Sequence, residues 1–396
     1  MTDNTLAAGR DIGERLPIGG LLALACAGFI TILTEALPAG LLPQLSAGLD
    51  VSPALVGQMV TLYALGSLLA AIPLTIATRN WRRRPLLLIA IGGFALVNSV
   101  TALSSSYALT LVARLVAGVF AGLLWALLAG YASRMVSERL KGRAIAVAMM
   151  GTPLALSLGI PAGTFLGATV GWRYSFAIMT LLSLVLLAWA RWKLPDFPGE
   201  RAHQRLSLIR VFTLPGMRTV LLVTLGFVLA HNILYTYIAP FLVPAGLAGS
   251  VDRVLLNFGA SALLGIWIAG ALIDRWLREL TLASILLFLL AAILLGLFGT
   301  SPIAIYASVA VWGLAFGGTA TLFQTASAKT AGAAADVAQS MIVTVWNLAI
   351  AGGGLIGGLL LESAGVGAFP WTLGALLLAA MALAWRARRH GFPPSR

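Results

Sequence analysis

Glu35 is the only acidic residue deep within an apolar run in the first half of the chain. A charge at the centre of a bilayer costs roughly 2.5–3.5 kcal/mol on insertion scales, so a carboxyl placed there needs a reason. The chemical reading is a group that takes and releases a proton; the plainer one is a carboxyl near an interface, reaching water. Arg114 stands alone in another apolar run. Counting inward from the same side, Glu35 lies about 8 residues deep, roughly 12 Å, and Arg114 about 7 residues deep, roughly 10 Å. At matched depth a guanidinium would tune the proton affinity of the carboxyl. Alternatively, Arg114 is structural and satisfied by helix carbonyls.

A second group falls in the other half. His231 and Tyr235 are four residues apart, hence on one helical face, with Asn232 and Tyr237 beside them. Such a patch suits a substrate that carries hydroxyls or a heteroaromatic ring, or it serves hydrogen bonding between helices. Gln58, Tyr63, Trp125 and Asn347 are further candidates for lining a substrate path, with Asn98, Asn257, Gln324 and Trp346 behind them. Polar groups at membrane depth should face protein or a wet cavity. Cys26 is the only cysteine and there are three histidines, so no nucleophile–base pair or metal cluster assembles. Neither an enzyme nor a metal or organic cofactor is expected.

The elements that must hold these residues are membrane helices. The composition is 60% hydrophobic and 10% charged, with a mean hydropathy of +0.96, against about 25% charged in ordinary soluble chains. Apolar runs of spanning length fall at 17–43, 53–78, 85–104, 107–133, 143–169, 172–190, 218–243, 254–274, 280–299, 302–327, 335–361 and 367–385. The longest internal polar stretch, 191–217, divides them six and six. The expected organisation is an all-α integral membrane protein, with a tail 1–16, a bundle 17–190, the central loop 191–217, a bundle 218–385 and a tail 386–396.

The net charge of +13 follows from topology. With both termini placed in the cytoplasm, 23 of the 26 Lys and Arg fall on the cytoplasmic side, two (Arg173, Arg253) fall outside, and Arg114 lies within a span. This is the bias that orients membrane proteins, and no basic stripe with interleaved aromatics points to nucleic acid. Several residues recur at near-constant offset: Pro38 and Pro240 (202), Thr78-Arg79 and Asp274-Arg275 (196), Gly163 and Gly357 (194), Trp172 and Trp371 (199). Duplicated halves place a substrate site between them near mid-membrane. Gly159, Gly163 and Gly167 share one face of the fifth span, and Pro161 predicts a bend there.

These segments resemble the major facilitator superfamily, and within it the twelve-helix drug:proton antiporters. The likeness runs from about residue 17 to 390. It is carried by TEALPAGLLPQLSAGLDVSPALVGQMVTLYALG, by the loop TRNWRRRP with its repeat GALIDRWLRE, by RLVAGVFAG and by GTPLALSLGIPAGTFLG. AHNILYTYIAPF is similar to bacterial sugar-efflux and purine-nucleoside-efflux members. The resemblance implies two six-helix bundles working by alternating access, a monomer in the bacterial inner membrane, and export of a small molecule against protons. It places Arg114 and Gly118 in a motif implicated in proton transfer, Gly159, Pro161, Gly163 and Gly167 in an antiporter-like motif, and Gly270, Asp274 and Arg275 in a loop gate. The first copy of that loop departs from the pattern, with Leu74, Thr78 and Trp81 where Gly, Asp and Gly would stand; its Arg82-Arg83-Arg84 cluster is expected on lipid phosphates. An importer or symporter on the same fold, and a sensor that binds without transporting, are the competing readings.

Overall fold

The computed structural model describes residues 16–78, 80–137, 140–199 and 208–392. Among the described residues, twelve helices are long and apolar enough to cross a membrane. In the first half they are α1 (Ile18–Gly40), α2 (Pro53–Ala71), α3 (Arg83–Leu103), α4 (Tyr107–Arg134), α5 (Arg143–Thr169) and α6 (Trp172–Lys193). In the second they are α7 (Met217–Thr236), α8 (Ala248–Ile273), α9 (Arg275–Phe298), α10 (Pro302–Ala331), α11 (Val337–Ser363) and α12 (Val366–Arg386). Lipid cannot hydrogen-bond a bare backbone, so helices that satisfy themselves are the structures such runs adopt. The face where α1 begins and α12 ends carries most of the arginines and is called the basic face below.

Local chemistry sets the helix ends and breaks. Ser52, Ser106 and Ser301 each cap a helix by accepting a backbone N–H three residues on, and Pro53 and Pro302 take the first helical position, where no N–H is needed. In α5, Pro161 removes a donor from the ladder. The chain answers with a wide π turn over Ala155–Gly159, in which the Ile160 N–H bonds to Ala155 O. The bend expected from Pro161 therefore takes the form of one π turn. α7 breaks at Tyr237 (φ −110°, ψ 28°). No loop separates α8 from α9, which meet at Trp276, the residue that leaves helical geometry (φ −126°, ψ 33°).

The halves repeat the same pairings. α2 packs on α4 as α8 packs on α10, α3 on α6 as α9 on α12, and α1 on α5 as α7 on α11. Glycines make the first of these pairings tight. A Cβ at Gly66, Gly118 or Gly122 would collide with backbone of the partner helix at Leu115, Tyr63 or Ser67; at Gly265, Gly313 or Gly317 it would collide with Leu314, Phe258 or Ala262. The halves meet along two seams related by the same repeat, α2 on α11 and α5 on α8.

Side chains close the basic face. Of the cluster expected on lipid phosphates, the Arg82 side chain and the Arg84 backbone N–H hold Asp196 of the linker after α6. Arg278, almost fully buried, donates to Ala384 O, Trp385 O and Phe392 O, so the segment after α12 is drawn against α9.

Candidate functional site: the space between the halves

Arg114 sits on α4 facing α1 and α2, 1% exposed. Its guanidinium donates to Thr34 O at 2.5 Å, Glu35 O at 3.0 Å and Met59 O at 3.3 Å, and lies 4.9 Å from the centre of the Tyr63 ring. A buried guanidinium with five donors needs such acceptors, and helix carbonyls supply them. Arg114 thus meets Glu35 at the backbone. The Glu35 carboxylate forms no hydrogen bond or ion pair with the described residues and is partly exposed. Arg114, Tyr63 and, from the other half, Tyr235 lie within electrostatic reach of it. Neighbouring polar groups stiffen this corner: Asn98 donates to Thr34 Oγ1 at 3.1 Å and Tyr63 to Thr31 O at 3.0 Å.

Across from Glu35 stands an aromatic cluster. The His231 ring stacks on Phe316 (centroids 3.6 Å apart, planes 11°) and on Tyr235 (5.1 Å, 29°), with Phe258 and Trp312 also against it. Phe316 reaches Trp346 of α11 at 6.2 Å. His231 Nδ1, Tyr235 OH, Trp312 Nε1 and Ser308 Oγ are buried without a hydrogen-bond partner. Each such group carries a penalty of about 1–3 kcal/mol, so four in one cluster mark a place prepared for polar contact. Asn232 and Asn347 each bond their amide nitrogen to their own helix, at Val228 O and Val343 O, and keep the amide oxygen available.

Other expected lining residues are already engaged. Tyr63 is fully buried, with its hydroxyl on Thr31 and its ring under Arg114. Tyr237 is also fully buried: its hydroxyl donates to Gly354 O at 2.7 Å and lies 3.3 Å from Ala54 O. Gln58 donates to Gly354 O and Ala54 O, both at 3.3 Å. Tyr237 and Gln58 therefore belong to the contact between halves, because their polar atoms meet acceptors there. Thr61 donating to Ala351 O and Ser52 to Glu362 extend that contact. These hydrogen bonds between the halves lie between mid-depth and the face opposite the basic one. Trp125 is half-buried against Gly28 of α1.

The glycines of α5 pack within their own half. A Cβ at Gly159 would meet Phe29 at 2.7 Å and one at Gly163 would meet Leu37 at 2.8 Å, while Gly167 abuts Leu41, so α1 is the partner. On α11, Gly353 abuts Asn232 of α7, Gly357 abuts Tyr237 just after it, Gly354 abuts Thr61 of α2, and Gly358 lies against both Tyr237 and Gln58 of α2. Of the expected loop gate, Gly270 has open space around it and Arg275 is exposed; the Asp274 side chain lies outside the described residues. Phe258, Ser308, Trp312 and Phe316 were not singled out from the sequence. The signal was there: Ser308, Trp312 and Phe316 recur every four residues on α10.

A twelve-helix chain in two repeated halves, with ionisable and aromatic groups facing one another across the join, has the architecture of a membrane transporter. Residues 24–353 match the Major Facilitator Superfamily, and the chain belongs to that family. It is a transporter and not an enzyme. It is 28% identical over 384 residues to a "Probable sugar efflux transporter" of Mannheimia succiniciproducens, covering 95% of each chain. Among solved structures it is similar to a mutant of the nucleoside transporter NupG (TM-score 0.74, 15% identity, 93% of this chain and 98% of that one). It is also similar to a bacterial homologue of the human lysosomal transporter Spinster, in an inward-facing and unoccupied conformation (TM-score 0.66, 15% identity, 96% and 97%).

Proposed function

We propose that this chain exports a small hydroxylated solute, of sugar or nucleoside type, in exchange for protons. One observation carries the reading: a Glu35 carboxylate without a bonded partner faces an aromatic cluster that holds four unsatisfied buried polar atoms. The carboxylate is the group that would exchange a proton. Stacked rings beside unpaired donors suit a ring bearing hydroxyls, since the rings take its apolar face and the polar atoms its edge. The resemblance to an efflux transporter supports the outward direction.

In this reading both termini are cytoplasmic, so the basic face is the cytoplasmic one, and the protein works as a monomer in the bacterial inner membrane. The two bundles, 17–190 and 218–385, joined by 191–217, rock about the seams. The hydrogen bonds clustered away from the basic face then describe a state closed to the outside. The test is flux in proteoliposomes. Radiolabelled lactose or inosine, supplied with an imposed pH gradient, should move against its own gradient and in the direction opposite to protons. Movement that ignores the pH gradient would refute the coupling.

A further inference from the structure

The linker that leaves α6 is bonded residue by residue to the first half. Asp196 accepts from Arg82 Nε at 2.5 Å and from the Arg84 N–H at 3.2 Å. Around it, Arg84 Nη1 donates to Leu194 O, the Arg83 N–H to Phe197 O, Tyr131 OH to Pro195 O, and Arg134 to Pro198 O. Phe197 also packs edge-on against Tyr131. All five residues of Leu-Pro-Asp-Phe-Pro are engaged, by the α2–α3 joint or the end of α4.

The two halves differ here in a complementary way. The repeat aligns Thr78-Arg79 with Asp274-Arg275, so the joint of the second half carries a carboxylate and that of the first does not. Behind the last helix of each half the order is reversed. The segment after α6 contains Asp196, while residues 386–396 after α12 contain no acid. The Thr78 hydroxyl turns back to its own helix, at Leu74 O, and beside it lies a cavity of about 80 Å³ that Arg83, Tyr131 and Arg134 also line. There is space there for the carboxylate that the repeat would predict.

We propose that Asp196 supplies from the linker the carboxylate that the α2–α3 joint lacks, acting as a positioning residue that latches joint, linker and α4 into one unit. Where this concerns transport it rests on the function proposed above.

Hydrogen–deuterium exchange on the purified full chain reads the latch without reference to any substrate. Asp196→Asn should speed exchange of the Arg83 and Arg84 amides by about threefold to tenfold, the range for a charge-assisted contact partly screened by water. Adding Thr78→Asp to Asp196→Asn, which returns a carboxylate beside Arg83 and Arg134, should restore protection and, with it, the rate of labelled lactose counterflow. Burial by itself would raise the Asp196 pKa, but the hydrogen bonds from Arg82 and Arg84, with their charges, bring it below the ordinary carboxyl value. Arg83 of the joint and Tyr131 and Arg134 of α4 are further ionisable neighbours. A depressed pKa means that the latch contributes above that value and is lost as pH falls through it. Wild-type protection should therefore fall only in the acid range, and the Asn variant should be flat. Unchanged exchange in Asp196→Asn, or a folded double variant that stays unprotected, overturns the proposal. Exchange that responds while wild-type protein moves no lactose leaves the latch standing and refutes only the transport reading.

Discussion

The guanidinium of Arg114 reaches Glu35 through its backbone carbonyl, 3.0 Å away, and makes no ion pair with the carboxylate of the same residue. The two residues are thus joined mechanically while the carboxylate is left without a bonded partner among the described residues. Arg114→Ala would leave the Thr34 carbonyl, four residues before Pro38, without a donor and would strip the Glu35 and Met59 carbonyls of the one they have beyond their own helices. At about 1–3 kcal/mol for each unsatisfied group, stability should suffer before any pH profile does. We expect a fall of several degrees in the melting temperature of detergent-purified Arg114→Ala, and a smaller fall for Arg114→Lys. A melting temperature equal to wild type would show that the knot is not structural.

Glu35→Gln keeps the shape of the side chain and removes its titration. Because no described residue bonds the carboxylate, the substitution should leave folding within about 0.5 kcal/mol of wild type, as for other sites without a specific contact. Proton-driven flux should be abolished, while exchange of labelled solute across the membrane without a gradient persists. Gradient-driven accumulation at the wild-type rate would remove Glu35 from the coupling step.

Tyr235→Phe separates packing from recognition. The hydroxyl is buried without a partner, so its loss should hold or raise thermal stability. If a bound solute supplies that partner, affinity should drop about tenfold, the equivalent of one hydrogen bond of roughly 1.4 kcal/mol. Calorimetric titration with the transported solute decides it, and unchanged affinity would make the cluster purely structural.

The α1–α5 contact predicts an order among glycines. A Cβ at Gly151 collides with the Ala25 carbonyl and the Phe29 backbone nitrogen, which cannot yield, whereas one at Gly163 meets the end of the Leu37 side chain, which can rotate. Gly151→Ala should therefore lower melting temperature and flux more than Gly163→Ala. The bulkier Gly163→Leu should remain inserted yet lose flux, at an overpacking cost of about 1–3 kcal/mol. Equal behaviour of the two alanine variants would contradict the contact.

Much of this was legible in the chain because lipid leaves so few options. Twelve apolar runs and a central polar break give the spans to within a few residues in most cases, and the offset pairs point to the repeat. What escaped the sequence was partnership. Nothing in Arg114 tells whether it seeks a carboxylate or a carbonyl, since both accept the same donors at similar distance. Tyr237 and Tyr235 are two residues apart, yet the break in α7 sends one hydroxyl to carbonyls of α11 and α2 and leaves the other unpaired. The linker read as a loop because prolines and charges dominate it, although each of residues 194–198 near its start is bonded to the α2–α3 joint or to α4. The glycines Gly66, Gly118 and Gly122, with counterparts at Gly265, Gly313 and Gly317, keep nearly the offset of the other repeats and would have marked the α2–α4 and α8–α10 crossings had they been compared.

The π turn of α5 has a consequence for chain length. At about 3.6 residues per turn, Gly151 and Gly163, twelve residues apart, would point roughly 120° away from each other in a regular helix. The wide turn over Ala155–Gly159 absorbs one residue, so the effective separation is about eleven, close to three whole turns, and both glycines look toward α1. Alignment of this helix with its neighbour therefore depends on the wide turn as much as on glycine itself. Winding all twelve residues into a regular ladder would rotate everything before the turn by about 100° and swing Gly151 off the Ala25 carbonyl, whereas deleting one residue from 155–159 would close the ladder and leave both glycines facing α1. The surplus residue is thus carried outside the register: bulged or deleted it leaves the α1 contact in place, and only a regular ladder through it would break that contact.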